Sequence, residues 1–155
     1  MDREDARPAA DREALARIVG EPIVEAMSAP WGFANRTDLV TTASGQRLAV
    51  QRLASRRAAR SRLRIAMLLD DRLRAAGIPV PRLVAGDATA TPPYAITEVV
   101  AGAPGNTLLD DPTDAIALGT EMGRLATRIA AVDVTGIRLP STWADPAAMA
   151  RVAGG

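Results

Sequence analysis

Two neighbouring polar residues, Gln51 and Arg52, stand near the end of a predicted strand at 47–53. A glutamine amide donates a hydrogen bond to a phosphate oxygen without adding charge, whereas an arginine guanidinium adds a full positive charge. Residues two apart in a strand share a face, so Gln51 points with Ala49 and Arg52 points to the other side. Arg52 would reach the face of Gln51 only through a bulge or a bend. The pair therefore offers an uncharged donor on one face of the strand and a cation on the other.

A second segment that could bring backbone amides close to a ligand is the loop 32–35, which reads Gly32, Phe33, Ala34, Asn35. Glycine and small residues let backbone amides approach a phosphate closely. The alternative interpretation is a plain turn between two strands, because glycine and asparagine are also ordinary turn residues.

The composition excludes several classes of chemistry. The chain of 155 residues contains no histidine and no cysteine. It therefore lacks the commonest general base, the thiolate ligands of zinc, and every Ser-His-Asp or Cys-His arrangement. Lysine is also absent, since all 19 basic residues are arginine. Neither a Schiff base nor a lysine phosphate clamp can form.

The net charge of +1 gives no bulk attraction to nucleic acid or to a membrane surface. No apolar run approaches the roughly 20 residues that span a bilayer. The first residues, 1–13, mix both signs of charge and do not resemble a secretion signal. We therefore expect a cytoplasmic protein without a membrane partner.

Hydrophobic periodicity and turn residues predict an α+β fold. The first half of the chain is predicted to contain a helix at 11–19 ended by Gly20, a strand or extended segment at 22–29, and two strands at 38–42 and 47–53 joined by a two-residue turn at Ser44-Gly45. A long helix at 55–76, capped by Ser55, follows, and then strands within 77–87 and 92–102. The rest is predicted to be a loop at 102–112, a helix over 113–132 and a short helix near Pro146. Because a tight turn joins two strands, we expect an antiparallel sheet with one long helix packed on it, not βαβ winding.

Two predicted helices carry apolar stripes. In the long helix the stripe is Ile65, Leu69, Leu73 and Ala76. In the last helix it is Leu118, Met122, Leu125, Ile129 and Val132. Asp111 as N-cap and Pro112 at the first helical position predict where the last helix begins.

Several short motifs occur in a familiar order. They are Gly32, Asn35 and Thr37, then GQRLAV at 45–50, Leu73, GIPVP at 77–81 and TEVVAG at 97–102. With these motifs, residues 31–133 resemble the aminoglycoside phosphotransferase family, kinase-like enzymes that transfer phosphate from ATP to a hydroxyl of a small molecule. The segment 125–133 is also similar to the family helix that ends in an apolar-His-Ala-x-Asp pattern. The resemblance implies a small kinase-like lobe at 23–102 after a helical extension at 1–22, with the start of a large lobe at 103–155.

The same resemblance implies a nucleotide site. Backbone amides of 32–35 would cover the phosphates, and Ala49 would lie against the adenine. The hinge residues Glu98, Val99 and Val100 would bind adenine through their backbone, although 98–102 also reads as an edge strand stopped by a glycine. ATP and Mg²⁺ are the implied cofactors.

The chain departs from the family pattern at the phosphates. Gln51 stands where the family has a lysine, and the glutamate that pairs with that lysine would fall near Ala66. The nearest acidic residues are Asp70 and Asp71, one turn later. Both members of the expected ion pair are therefore displaced or replaced.

The family's His-Gly-Asp catalytic loop and its metal-binding aspartate match no residue here, so no catalytic residue and no metal ligand is assigned. We expect a truncated or degenerate family member that at most binds nucleotide weakly and is inactive alone. The alternative is a non-catalytic interaction module, with self-association or a partner chain covering the helix at 113–132.

The arginine-rich segment 51–64, QRLASRRAARSRLR, has three interpretations. It is the solvated face of a helix, a surface for a partner protein, or a contact for a phosphate backbone. No aromatic residue is interleaved with the arginines, so stacking on bases has no support and nucleic acid is not expected as a partner.

Overall fold

The computed structural model describes residues 9–29, 36–53, 57–102 and 105–138, and these residues form an α+β fold. The elements in chain order are α1 (Ala9–Val19), β1 (Ile23–Ser28), β2 (Arg36–Thr42), β3 (Arg47–Arg52), α2 (Arg57–Ala75), β4 (Leu83–Asp87), β5 (Tyr94–Glu98), one turn of 3-10 helix (Gly105–Leu108) and α3 (Pro112–Ala130). The predicted order of elements is confirmed within this part of the chain. Ser55, the predicted cap of α2, and the predicted helix near Pro146 lie outside the described residues.

The five strands form one antiparallel sheet in the order β1-β2-β3-β5-β4. β3 is the central strand, with Ala49 opposite Leu39 of β2 on one side and opposite Thr97 of β5 on the other. Since alternate side chains of β3 face opposite layers, this strand supplies residues to both sides of the sheet.

The hairpin between β2 and β3 differs from the predicted two-residue turn, because four residues, 43–46, separate the strands. Gly45 has a φ of 85° and donates its N–H to Thr42 O. Ser44 N–H donates to Glu21 Oε1 at 2.6 Å, and Gln46 N–H donates to Thr42 Oγ1 at 3.1 Å. These side-chain acceptors stabilise the longer loop, which has glycine at the left-handed position that such hairpins require.

The two faces of the sheet pack against different helices. Residues buried on the α1 side are Leu15 of α1 with Val40, Leu48, Val50 and Ile96 of the strands. Residues buried on the α2 side are Leu63 of α2 with Ala88 and Ala95. The consecutive residues Ala95 and Ile96 point into the two different clusters, as alternation along a strand requires. The sheet is therefore the middle layer between α1 and α2.

The predicted apolar stripe of α2 is confirmed in part. Ile65 is buried, and Leu69 and Leu73 are half-buried. Ala76 is exposed because α2 ends at Ala75 and Gly77, with a φ of 66°, turns the chain away. Leu63, which was not in the predicted stripe, is buried against β5.

The loop between β4 and β5 is held by polar contacts to its own backbone and to α2. Arg60 Nη1 donates to Ala88 O at 3.1 Å and to Thr89 O at 2.9 Å. Asp87 Oδ1 accepts from both the hydroxyl and the N–H of Thr89 at 2.6 Å and from Ala90 N at 3.1 Å. The bond from the Thr89 hydroxyl has the largest effect on the pKa of Asp87. With the backbone bonds and the charge of Arg60, it holds this pKa below its usual 3.8. The carboxylate therefore stabilises the loop in its charged form.

α3 begins as predicted, with the Asp111 carboxylate accepting from Thr113 N at 2.7 Å and from Asp114 N at 3.2 Å and with Pro112 in the first turn. Arg128 of α3 donates to Gly77 O, and Arg72 of α2 donates to Asp133 O and to Thr135 O, both at 2.8 Å. These bonds tie the end of α2 to the region around the end of α3. No residue of α3 is buried.

Each helix within the described ranges is too short or too polar to cross a bilayer.

Candidate functional site

A cavity of about 500 Å³ lies between α2 and the face of the sheet that carries Ala95. From the strands, Gln51 of β3 and both Ala95 and Thr97 of β5 line it, and Leu83 of β4 adds an apolar wall. From α2, residues spaced by three or four positions line the opposite wall. This spacing places one continuous stripe of the helix against the cavity.

The cavity has two distinguishable ends, which the strand register defines. Gln51 is opposite Ala95, and Ala49 is opposite Thr97, next to the end of β5 at Glu98. Ala49 shares the face of Gln51 because the two are alternate residues of one strand. We call the end at Gln51 the inner end and the end at Thr97 the hinge end.

Arg52 lies on the other side of the sheet from this cavity. Its Nη2 donates to Asp38 Oδ2 at 2.5 Å, and its side chain is only 15% exposed. Asp38 is fully buried, and Arg36 Nε lies 3.7 Å from the same Asp38 oxygen. The pairing of β3 with β2 continues in register up to Arg52, so the bulge that would turn Arg52 toward Gln51 is absent from this described pair of strands. Arg52 serves as an ion-pair partner of Asp38.

Two charged side chains of α2 line the cavity, about two turns apart. Ala66, where the resemblance places a glutamate, lines the wall, with Asp70 one turn after it and Arg62 one turn before it. Asp71 is exposed and is not part of the lining. The sequence interpretation considered the acidic residues and missed Arg62. The spacing of four between Arg62 and Ala66 places both on one side of α2, but only the packing of α2 on the sheet decides that this side faces the cavity.

The hinge end offers a backbone donor. Glu98 N–H donates to Arg82 O at 3.0 Å, and Val99 N–H donates to Arg47 O at 3.1 Å, so both amides are occupied. Among the described residues, Val100 N–H has no acceptor, and the Val100 side chain is 65% exposed. The Glu98 carboxylate is 3.3 Å from Arg82 Nη1 at the surface. Of the three predicted hinge residues, Val100 is the one with an amide open to a ligand.

The predicted phosphate loop, with Gly32, Phe33, Ala34 and Asn35, lies outside the described residues. The proposed magnesium has no suitable ligand set in the described ranges, where no three carboxylates or other side-chain metal ligands lie together. Since Mg²⁺ is held by carboxylates with near-ideal octahedral geometry, we place no metal-dependent step on these residues.

Comparisons with known proteins agree with this architecture. Residues 25–151 match the model of the phosphotransferase enzyme family. A similar solved structure is a macrolide 2'-phosphotransferase type I, with a TM-score of 0.52 and 16% identity. The alignment covers 64% of this chain and 33% of that one, so the chain spans about a third of that protein. At this identity the likeness concerns the fold alone, and a search of curated proteins gave no match. Because the family match covers most of the chain, the chain belongs to the phosphotransferase enzyme family.

Proposed function

We propose that the chain is the nucleotide-binding part of a phosphotransferase and binds ATP against the face of the sheet that carries Ala49 and Gln51. The observation that carries the proposal is the position of these two side chains. Both lie on the face that bounds the cavity, and the open Val100 amide lies beyond the hinge end. Family membership supplies the class of ligand, since enzymes of this family use ATP and Mg²⁺.

In this proposal each end of the face binds a different part of the nucleotide. At the hinge end, Ala49 is small enough to leave room for a flat ring, and the Val100 N–H donates to a ring nitrogen. At the inner end, the Gln51 amide donates to a phosphate oxygen. The apolar walls between them exclude water from the ligand, as is typical of small-molecule sites.

We propose that this chain binds nucleotide weakly and does not transfer phosphate by itself. Phosphoryl transfer depends on positioning and on neutralising the charge of the phosphates. The sequence has no histidine and no lysine, and the described residues hold no cluster of metal ligands. Transfer to the hydroxyl of a small molecule would therefore belong to a whole family enzyme. The matched structure, for example, is about three times as long as the part that aligns with this chain.

The test is thermal unfolding of the chain with increasing ATP, with and without magnesium. A ligand that binds only the folded state stabilises it by about 2.7 kcal/mol at a hundredfold excess over its Kd. We expect the melting temperature to rise at millimolar ATP. Ala49→Leu should abolish this shift because the added atoms fill the space for the ring.

The matched control is Ala85→Leu, which makes the same substitution on an exposed position of β4. This variant should keep the ATP-dependent shift of the wild type. An unchanged melting temperature of the wild type at millimolar ATP would contradict nucleotide binding.

A second candidate function is a non-catalytic interaction module, and the exposed stripe of α3 favours it. Met122 is 61% exposed and Ile129 is 44% exposed, and Leu118 and Leu125 on the same stripe are half-buried. Contiguous apolar surface of this kind marks interaction sites in soluble proteins. We propose that a second copy of the chain or another polypeptide covers this stripe.

We expect the mass of the chain, measured by light scattering during size-exclusion chromatography, to rise with concentration. Met122→Glu should return it to the monomer because a charge cannot be buried in an apolar contact without a large cost. Thr120→Glu, on the opposite face of α3, serves as the control and should leave association unchanged. A wild type that stays monomeric at all concentrations would exclude self-association through this stripe.

A further inference from the structure

At the inner end of the cavity, the basic side chain that the described residues contribute to the lining is Arg62. Among the described residues, Arg62 forms no hydrogen bond and no ion pair, and it lines the cavity together with Gln51. Two arginines near it, Arg60 and Arg52, are occupied. Arg60 binds backbone carbonyls of the β4–β5 loop. Arg52 pairs with Asp38 on the α1 side of the sheet, away from the cavity.

Packing places Arg62 at the inner end. Its neighbour Leu63 is buried against Ala95, and Ala95 is directly opposite Gln51 in the strand register. The first turns of α2 therefore lie over the part of the sheet that carries Gln51. Arg62 therefore lines the inner end of the cavity from α2, and Gln51 lines it from β3.

Asp70, the acidic residue of the lining, does not neutralise this charge. It lies eight residues after Arg62, which corresponds to about 12 Å along the helix axis. That separation exceeds the Debye length of about 8 Å at physiological ionic strength. The cationic and the acidic side chains of the cavity lining are therefore well separated along α2.

We propose that Arg62 is the phosphate-contacting cation of this chain, acting with the Gln51 amide on the phosphate oxygens of a nucleoside di- or triphosphate. This inference rests on the proposed nucleotide binding and specifies its electrostatics. The strand residue at the phosphates is neutral, and the helix supplies the charge. A guanidinium is suited to this task because it is always charged and presents several donors to a phosphate.

The test compares the binding of ATP and of adenosine by Arg62→Ala, Arg64→Ala and the wild type, measured by calorimetry. Arg64 is exposed on the same helix and is not part of the cavity lining, so it controls for loss of one positive charge. Because Arg62 is itself exposed, we expect Arg62→Ala to weaken ATP binding about fivefold. Adenosine binding should not change, and Arg64→Ala should bind both ligands as the wild type does.

A rescue variant separates charge from shape. Gln51→Lys in the Arg62→Ala background returns a cation to the inner end from the strand, and it should restore ATP binding. Equal ATP affinities of the Arg62→Ala and Arg64→Ala variants would overturn the role of Arg62 while leaving nucleotide binding intact. A wild type that binds neither ATP nor adenosine would overturn the proposed function itself, and this inference with it.

Discussion

Replacing Asp38 by alanine is expected to lower the free energy of unfolding by about 3–5 kcal/mol. The Asp38 carboxylate is fully buried and accepts from Arg52 Nη2 at 2.5 Å. The Arg52 side chain is only 15% exposed, so removal of its partner leaves a largely buried cation without its carboxylate. Breaking one half of such a pair is costly because the remaining charge has lost both its counter-ion and most of its water.

Urea denaturation of the wild type and the variant measures this loss. Glu121→Ala removes one half of the pair with Arg124 on α3, where the two side chains are 68% and 70% exposed. This control should change stability by less than about 0.5 kcal/mol, since exposed pairs contribute little. The double variant Asp38→Leu with Arg52→Met should recover much of the loss, because it removes both charges. A loss below 1 kcal/mol for Asp38→Ala would show that Arg52 does not depend on this carboxylate.

Replacing Leu15 by alanine is expected to destabilise the chain by about 2–5 kcal/mol. Leu15 is fully buried and packs with Val40, Leu48 and Val50 on the α1 side of the sheet. Shortening it removes apolar contacts and leaves a cavity against three strand residues. The prediction is informative because α1 precedes residues 25–151, the range of the family match.

The same urea experiment on Leu68→Ala supplies the control, since Leu68 lies on α2 with 59% of its surface exposed. Both variants delete the same atoms from a helix, so their difference reports burial and not helix propensity. We expect Leu68→Ala to stay within about 0.5 kcal/mol of the wild type. If Leu15→Ala behaves in the same way, α1 does not contribute to the stability of the sheet.

Local signals were enough to predict most of the elements. The N-cap Asp111 with Pro112, and the glycines Gly20 and Gly77 at helix ends, act within a few residues of the boundary that they set. The hairpin after β2 could not be predicted in this way. Its four-residue loop is stabilised by Glu21, which lies 23 residues before Ser44 in the sequence and reaches it only in the folded chain.

In the candidate site, the alternation of side chains along β3 was enough to predict which residues face the cavity. The period of two placed Gln51 on one face and Arg52 on the other, and the structure has the same arrangement. The partner of Arg52 was not predictable, because Asp38 meets it only through the register of β2 with β3. Arg62 was missed for a similar reason. A residue of α2 enters the site only when the rotation of the helix against the sheet is known.

The manner in which α2 is fixed at both ends has a consequence for how this sequence can diverge. Arg60 and Arg72 bind main-chain oxygens at 88, 89, 133 and 135, and every amino acid provides such an oxygen. Substitution at the receiving positions is therefore tolerated as far as these bonds are concerned. Arg60 reaches both of its carbonyls through Nη1 alone, whereas Arg72 uses two nitrogens, Nη1 and Nη2, which the single ammonium of a lysine cannot reproduce. Relatives of this chain should retain arginine at position 72 and a long basic residue at position 60, while the residues that receive their bonds vary.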